Sequence, residues 1–280
     1  MKTATFRAIA KLLDRPLILE SVSSMTTTGI YGRDPTDILA RAVKECNNDV
    51  SKAEKAIIVI DEFDKTARNI PTTSGRDVAG VSLQQEFLKL FEGDKIQVSL
   101  GNKRTPLIDT TVEVDTSNIL FILAGAFVGL SDVVKARVNK KQIGFGHEEK
   151  KMSDDDYLAQ VTTNDLINYG IIPEIIGRVP SIITYKQLTE DDLIRILTEP
   201  KNAIVKQYQE LFKMDDTNLV FTDDALRSIA KMAINKKTNA RGLRGILSTA
   251  LSTIEYEIPD RTDIDSIVIT DKLVDKLTLI

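Results

Sequence analysis

The stretch Ile57-Ile58-Val59-Ile60-Asp61-Glu62, with Ala56 ahead of it, limits the fold more than any other part of this chain. Four successive branched aliphatics without polar alternation predict a strand of a parallel sheet that is covered on both faces. Asp61 and Glu62 arrive together at its end. Two adjacent carboxylates on so rigid a support suit the holding of a divalent cation and the activation of water. A core strand that merely ends in solvated acids looks the same, and the company this hexapeptide keeps decides between the two.

Helices alternate with short apolar segments around it. Phe6, Ile9, Ala10 and Leu13 mark an amphipathic helix, which Pro16 closes before the apolar run Leu17 to Leu19. Asp34 and Pro35 read as the N-cap and first turn of a helix ending near Cys46. Ser82 with Gln85 reads as a capping box for a helix with the apolar face Leu83, Phe87, Leu90 and Phe91, stopped by Gly93. A second buried strand is expected from Ile119 to Ala124. The alternation predicts an α/β fold over residues 1–186, a parallel sheet with flanking helices. From Thr189, an N-cap ahead of Leu193, Ile196 and Leu197, the pattern changes. Helices are expected near 189–198, 200–213, 222–234 and 240–256, with brief strands near Leu219 to Phe221 and Ile267 to Ile269. Residues 187–280 thus predict a small, mostly helical α+β domain.

Composition narrows the function classes. The chain has 280 residues, and 37 basic against 41 acidic residues leave a net charge of −4, which argues against nucleic acid as the principal ligand. A single cysteine, Cys46, forms no internal disulfide and fits a reducing cytoplasm; its place on the face of Ile38, Leu39, Ala42 and Val43 predicts burial. The lone His147 reads as solvated. No apolar run approaches the roughly 18 residues of a membrane span, and no signal-peptide core follows Met1. Lys135, Arg137, Lys140, Lys141, Lys150 and Lys151, answered by Asp154, Asp155 and Asp156, read as a solvated mobile loop.

The runs AIIVIDEFDKTARN, GRDVAGVSLQQEFLKLFEG, VDTSNILFILAGAFVGL, IGFG, GIIPEIIGRVP and EPKNAIVKQYQELF stand in collinear order over nearly the whole chain. Together they resemble the ClpX family of AAA+ unfoldases, P-loop ATPases with a large α/β domain and a small helical one. The IGF tripeptide favours this family over HslU, which shares its Walker B strand and arginine finger. The resemblance implies an ATP-dependent unfoldase that threads substrate polypeptides, unfolded or tagged, through the pore of a homo-hexamer into the ClpP peptidase. ATP and Mg2+ are the implied cofactors, and neither nucleic acid nor a membrane is an expected partner.

Carried over residue by residue, the resemblance makes Asp61 and Glu62 the Walker B carboxylates and Arg178 the arginine finger that reaches a neighbouring subunit's nucleotide. Arg241 resembles the sensor-2 arginine, with Arg244 one helical turn on as the other candidate. The family grips polypeptide through a pore loop with the pattern GYVG. Gly29-Ile30-Tyr31-Gly32 stands in its place, the aromatic moved by one position, and an ordinary turn is the plainer reading. Residues 68–80 match the second pore loop, and Lys103-Arg104-Thr105 stands where the family carries RKH, which puts tag recognition through that loop in question. Ile143, Gly144 and Phe145 correspond to the tip that docks into ClpP. Burying each large apolar side chain is worth about 1.5–3 kcal/mol, in a partner's pocket or by folding back on its own protein.

A Walker A loop reads GxxxxGKT, and here Lys2 and Thr3 match its last two residues, with Met1 where the last glycine belongs. Lys2 and Thr3 are therefore the expected nucleotide-binding residues, Thr3 joining Asp61 at the metal. On this alignment the chain as given is expected to begin inside the nucleotide site, without the glycine cradle and without the family's N-terminal zinc-binding domain. About four backbone bonds to phosphate at roughly 1.5–3 kcal/mol each amount to about 6–12 kcal/mol. A micromolar affinity is about 8 kcal/mol. The alternative function is thus a truncated, non-hydrolysing homologue that binds rings or the peptidase as an interaction module.

Overall fold

The computed structural model describes residues 2–25, 34–67, 77–101, 111–140, 152–261 and 263–278. It divides into two compact units, Met1–Tyr185 and Lys186–Ile280. The first opens with α1 (Lys2–Leu13), β1 (Leu17–Ser21), α2 (Asp37–Glu45), α3 (Val50–Ala53), β2 (Ile57–Asp61) and α4 (Asp77–Phe91). It continues with β3 (Lys95–Ser99), β4 (Thr111–Asp115), β5 (Leu120–Leu123), α5 (Leu130–Lys140), α6 (Asp154–Leu158), α7 (Thr163–Tyr169) and α8 (Pro173–Ile176).

β1, β2 and β5 form a parallel sheet with β2 in the middle. The apolar run of β2 follows from this position. Ile57 and Val59 pack with Phe6 and Ala10 of α1, whereas Ile58 and Ile60 belong to the larger core with Ile38, Leu39 and Val43 of α2 and Phe87 and Leu90 of α4. A strand sends successive side chains to opposite faces, so helices on both sides leave it no polar position. Burial of each aliphatic contributes about 1.5–3 kcal/mol. Cys46 is buried in the larger core as expected, and desolvation raises its thiol pKa.

Several local expectations need correction. The helix after Pro35 starts at Asp37, not at Pro35. Asp34 instead makes an Asx turn, its Oδ1 accepting from Thr36 N at 2.8 Å and Thr36 Oγ1 at 2.9 Å. Ser82 and Gln85 form no N-terminal box, because α4 starts at Asp77 and carries both inside it; Asp77 to Gly80, assigned to the second pore loop, are helical. β5 is less buried than its sequence suggests: among the described residues it pairs with β2 alone, and Leu120 stays 47% exposed. The antiparallel pair β3 and β4 was not anticipated, although Ile96, Val98, Val112 and Val114 alternate as such a ribbon should.

Arg137 corrects the reading of a wholly solvated basic cluster. Its Nε and Nη2 donate to Asp165 at 2.7 and 2.9 Å, and Nη2 also donates to Gln160 O at 2.7 Å. Asp165 is fully buried and accepts from Thr162 N and Oγ1 as well, closing the capping box of α7. Burial raises the Asp165 pKa, but the bonds from Arg137 and Thr162 outweigh it and hold the carboxyl below its ordinary value. A depressed carboxyl stabilises the fold above its unfolded pKa and loses that contribution as pH falls through the folded one. Arg137→Met should therefore lower stability by about 1–3 kcal/mol at neutral pH. The loss should shrink below the ordinary aspartate value of 3.8. Urea midpoints taken from pH 7 to pH 3 check this, and equal losses across the range would refute it.

The second unit comprises α9 (Glu190–Thr198), α10 (Ile204–Lys213), β6 (Asn218–Phe221), α11 (Asp223–Asn235), α12 (Asn239–Glu257), β7 (Ser266–Ile269) and α13 (Asp271–Thr278). Thr189 caps α9 with Asp192 in a reciprocal box. Leu193, Leu197, Ile229, Leu243, Leu247 and Val274 build its core. β6 and β7 pair in parallel. α10 begins at Ile204, four residues later than expected, and α13 was not anticipated.

Candidate nucleotide site

The parallel register sets Ser21 of β1 beside Asp61 of β2, at the carboxyl ends of the strands where α/β sheets bind ligands. α1 runs back along the sheet, since Ile57 N donates to Pro16 O at 2.8 Å just after its end. Twelve helical residues rise about 18 Å. A five-residue strand spans about 17 Å, so the start of α1, with Lys2 and an exposed Thr3, lies toward the same end as Asp61.

Asp61 is half-buried, and its Oδ1 accepts from Glu62 N at 2.9 Å. Glu62 has a left-handed backbone, φ 60°, which reverses the chain into the 3-10 turn Phe63–Thr66. Its Oε2 accepts from Ser21 Oγ at 2.9 Å, from Lys65 Nζ at 2.8 Å and from Ser23 Oγ. Lys65 Nζ also donates to Ser23 Oγ at 2.7 Å. The bonds from Lys65, Ser23 and Ser21 lower the Glu62 pKa to about 2, against a small opposing desolvation. Glu62 is therefore an ionised carboxylate at neutral pH, one of whose oxygens is gripped by three donors. Lys65→Met should raise its pKa toward the ordinary glutamate value, which a carbon-13 titration of the side-chain carboxyl reads directly; an unmoved midpoint would show that the serines suffice.

The turn is pinned on other sides too. Phe63 N donates to Ala124 O at 2.9 Å, and Asp64 Oδ2 accepts from Phe127 N at 3.2 Å. Any side chain at Gly125 would overlap the Asp64 carboxylate, and Phe127 itself has φ 47°. Left-handed non-glycine residues flanking one half-buried turn that carries carboxylates are the kind of strain that functional sites hold.

Asp61 and Thr3 offer hard oxygen donors. Among the described residues no group of three or more His, Cys, Asp or Glu could cage a metal. Hard oxygen donors suit Mg2+, which keeps several waters and takes further oxygens from phosphate.

A family model for the AAA domain (Cdc48 subfamily) matches residues 2–182. A second, for the C-terminal D2-small domain of ClpB protein, matches residues 188–257. The ATP-dependent Clp protease ATP-binding subunit ClpX of Treponema denticola is 40% identical over 278 residues, covering 98% of this chain and 67% of the relative. The chain belongs to the ClpX-like AAA+ ATPases.

In this ClpX-like chain Arg178 follows α8, and its Nη2 lies 3.5 Å from Glu92 Oε1, both side chains more than a third exposed. The structure does not bring Arg178 to Asp61 or Glu62 among the described contacts. Arg241 sits exposed in the first turn of α12, where Gly242 lets the Thr238 side chain lie against the helix. Arg244 donates to Gln207 Oε1 at 2.6 Å, so it is engaged inside the second unit. Gly29, Tyr31 and Gly32, Lys103 to Thr105, and Ile143, Gly144 and Phe145 lie outside the described residues. Ser21, Ser23, Lys65 and Asp64 are neighbours of the candidate carboxylates that the sequence reading missed. Lys65, three residues after Glu62, had a local signal; the serines had none. No helix among the described residues is long and apolar enough to cross a membrane.

Proposed function

We propose that this chain is the motor module of an ATP-driven protein unfoldase that works as a homo-hexameric ring and passes threaded polypeptide to the ClpP peptidase. The observation that carries the reading is the paired carboxylate at the sheet's carboxyl edge, with Glu62 ionised and held by Ser21, Ser23 and Lys65. The likeness to a relative described as the ATP-binding subunit of an ATP-dependent Clp protease supports it. Asp61 and Thr3 would hold magnesium, and Lys2 would meet phosphate. The metal, when bound with ATP, supplies charge neutralisation on the phosphate oxygens. Glu62 orients and polarises the attacking water once Ser21, Ser23 and Lys65 yield its oxygen. Arg178 is offered to the nucleotide of the neighbouring subunit, and Arg241 senses nucleotide from the small domain. Tyr31 between Gly29 and Gly32 grips substrate, while Ile143 and Phe145 about Gly144 dock the peptidase.

The test is ATP hydrolysis by the chain as written and by the same chain preceded by a complete glycine-rich loop, each with and without an unfolded protein substrate. Hydrolysis that substrate accelerates supports the motor. Silence in both forms, with ClpP binding that Phe145→Ala abolishes, favours the interaction-module reading.

A further inference from the structure

Gln84 is entirely buried on α4, and its carboxamide joins two parts of the chain that the site uses separately. Its Nε2 donates to Thr66 O at 2.8 Å and to Gly170 O at 3.1 Å, and its Oε1 accepts from Ile172 N at 2.8 Å. Thr66 closes the turn that starts at Glu62, its Oγ1 donating to Phe63 O at 2.8 Å. Ile172 is the N-cap residue of α8, after which Gly177 and Arg178 follow. Gly80, one helical turn before Gln84, brings the α4 backbone against the same carbonyl; a Cβ there would stand 2.6 Å from Thr66 O. Two carbonyls at one end and an N–H at the other leave the amide a single orientation. An ionised Glu could not donate, Met neither donates nor accepts strongly, and Asn is a methylene short.

We infer that Gln84 is a positioning residue that ties the Glu62 turn to the α8 turn, so that the carboxylate serving one nucleotide and the arginine serving another move as one body within a subunit. The inference rests on the reading of Arg178 as an arginine finger. A buried side chain that only filled space would need no polar end, and a leucine or methionine would pack there without three bonds to satisfy.

The test is a double-mutant cycle in the full chain, with Gln84→Met and Arg178→Ala alone and together. Gln84→Met should lower kcat by about tenfold with little change in KM, and should cause no further loss once Arg178 is gone. Losses that multiply in the double variant would overturn the link. Amide exchange in the nucleotide-free protein provides a second readout. Gln84→Met should speed exchange over residues 171–178 and leave residues 193–197 unchanged; unaltered exchange over 171–178 would equally overturn it. If the Met variant does not fold, Gln84→Glu keeps the length and the acceptor for Ile172 N and carries the same cycle. Turnover unaffected by Arg178→Ala would overturn the finger reading and not the link, which the exchange result then decides.

Discussion

Glu62→Gln should stop ATP turnover, by about 10²–10⁴-fold, while leaving nucleotide binding intact. Glutamine has the size of glutamate, and its carbonyl oxygen can still accept from Ser21 and Ser23, so the turn that carries it should persist. It cannot take up a proton from water. Binding depends instead on groups that approach phosphate and magnesium, for which Asp61 and Thr3 are the candidates. The pH dependence sharpens the expectation. In the nucleotide-free protein the bonds from Lys65, Ser23 and Ser21 lower the carboxyl to about 2, so kcat/KM, which reports the free enzyme, should show no acidic limb near the ordinary glutamate value. Steady-state hydrolysis beside calorimetric binding of ATP measures both parts. Unchanged turnover in the variant would remove Glu62 from the chemistry.

Arg178→Ala should reduce turnover by about 10³–10⁵-fold, the range for arginine fingers in phosphoryl transfer. It should do so without unfolding the protein. The ion pair with Glu92 is 3.5 Å long between side chains that are more than a third exposed. Such pairs contribute about 0–1 kcal/mol. A melting temperature close to that of the wild type is therefore expected beside a collapsed rate, a combination that a structural role would not produce. Mixing decides whether the arginine acts across subunits. Arg178→Ala subunits keep Glu62, and Glu62→Gln subunits keep the arginine, so mixed rings should recover hydrolysis that neither has alone. No recovery on mixing would place the arginine's partner within its own chain.

These effects show where sequence and structure divide. The covered parallel strand was legible because its evidence is local: four aliphatics in a row at Ile57–Ile60 have one environment that suits them all. Apart from α13, the helices of the second unit were legible for the same reason, as apolar residues recur there with the helical period, and Thr189 announces α9 through a bond spanning three residues. Local signals also misled. Ser82 and Gln85 have the spacing of a capping box, yet α4 extends past them to Asp77, so the cap was never needed there.

Residues 57–62 by themselves determined a rigid strand ending in two carboxylates, and residue order alone determined helices on both sides of it. Lys65, three residues on, is a local donor to Glu62, but only tertiary structure brought the serines to that carboxylate. Ser21 and Ser23 reach Glu62 across 41 and 39 residues, Arg137 finds Asp165 across 28, and Gln84 meets Ile172 across 88. Hydrogen bonds of that span depend on strand register and on how helices seat against the sheet, and neither leaves a periodic trace in the chain.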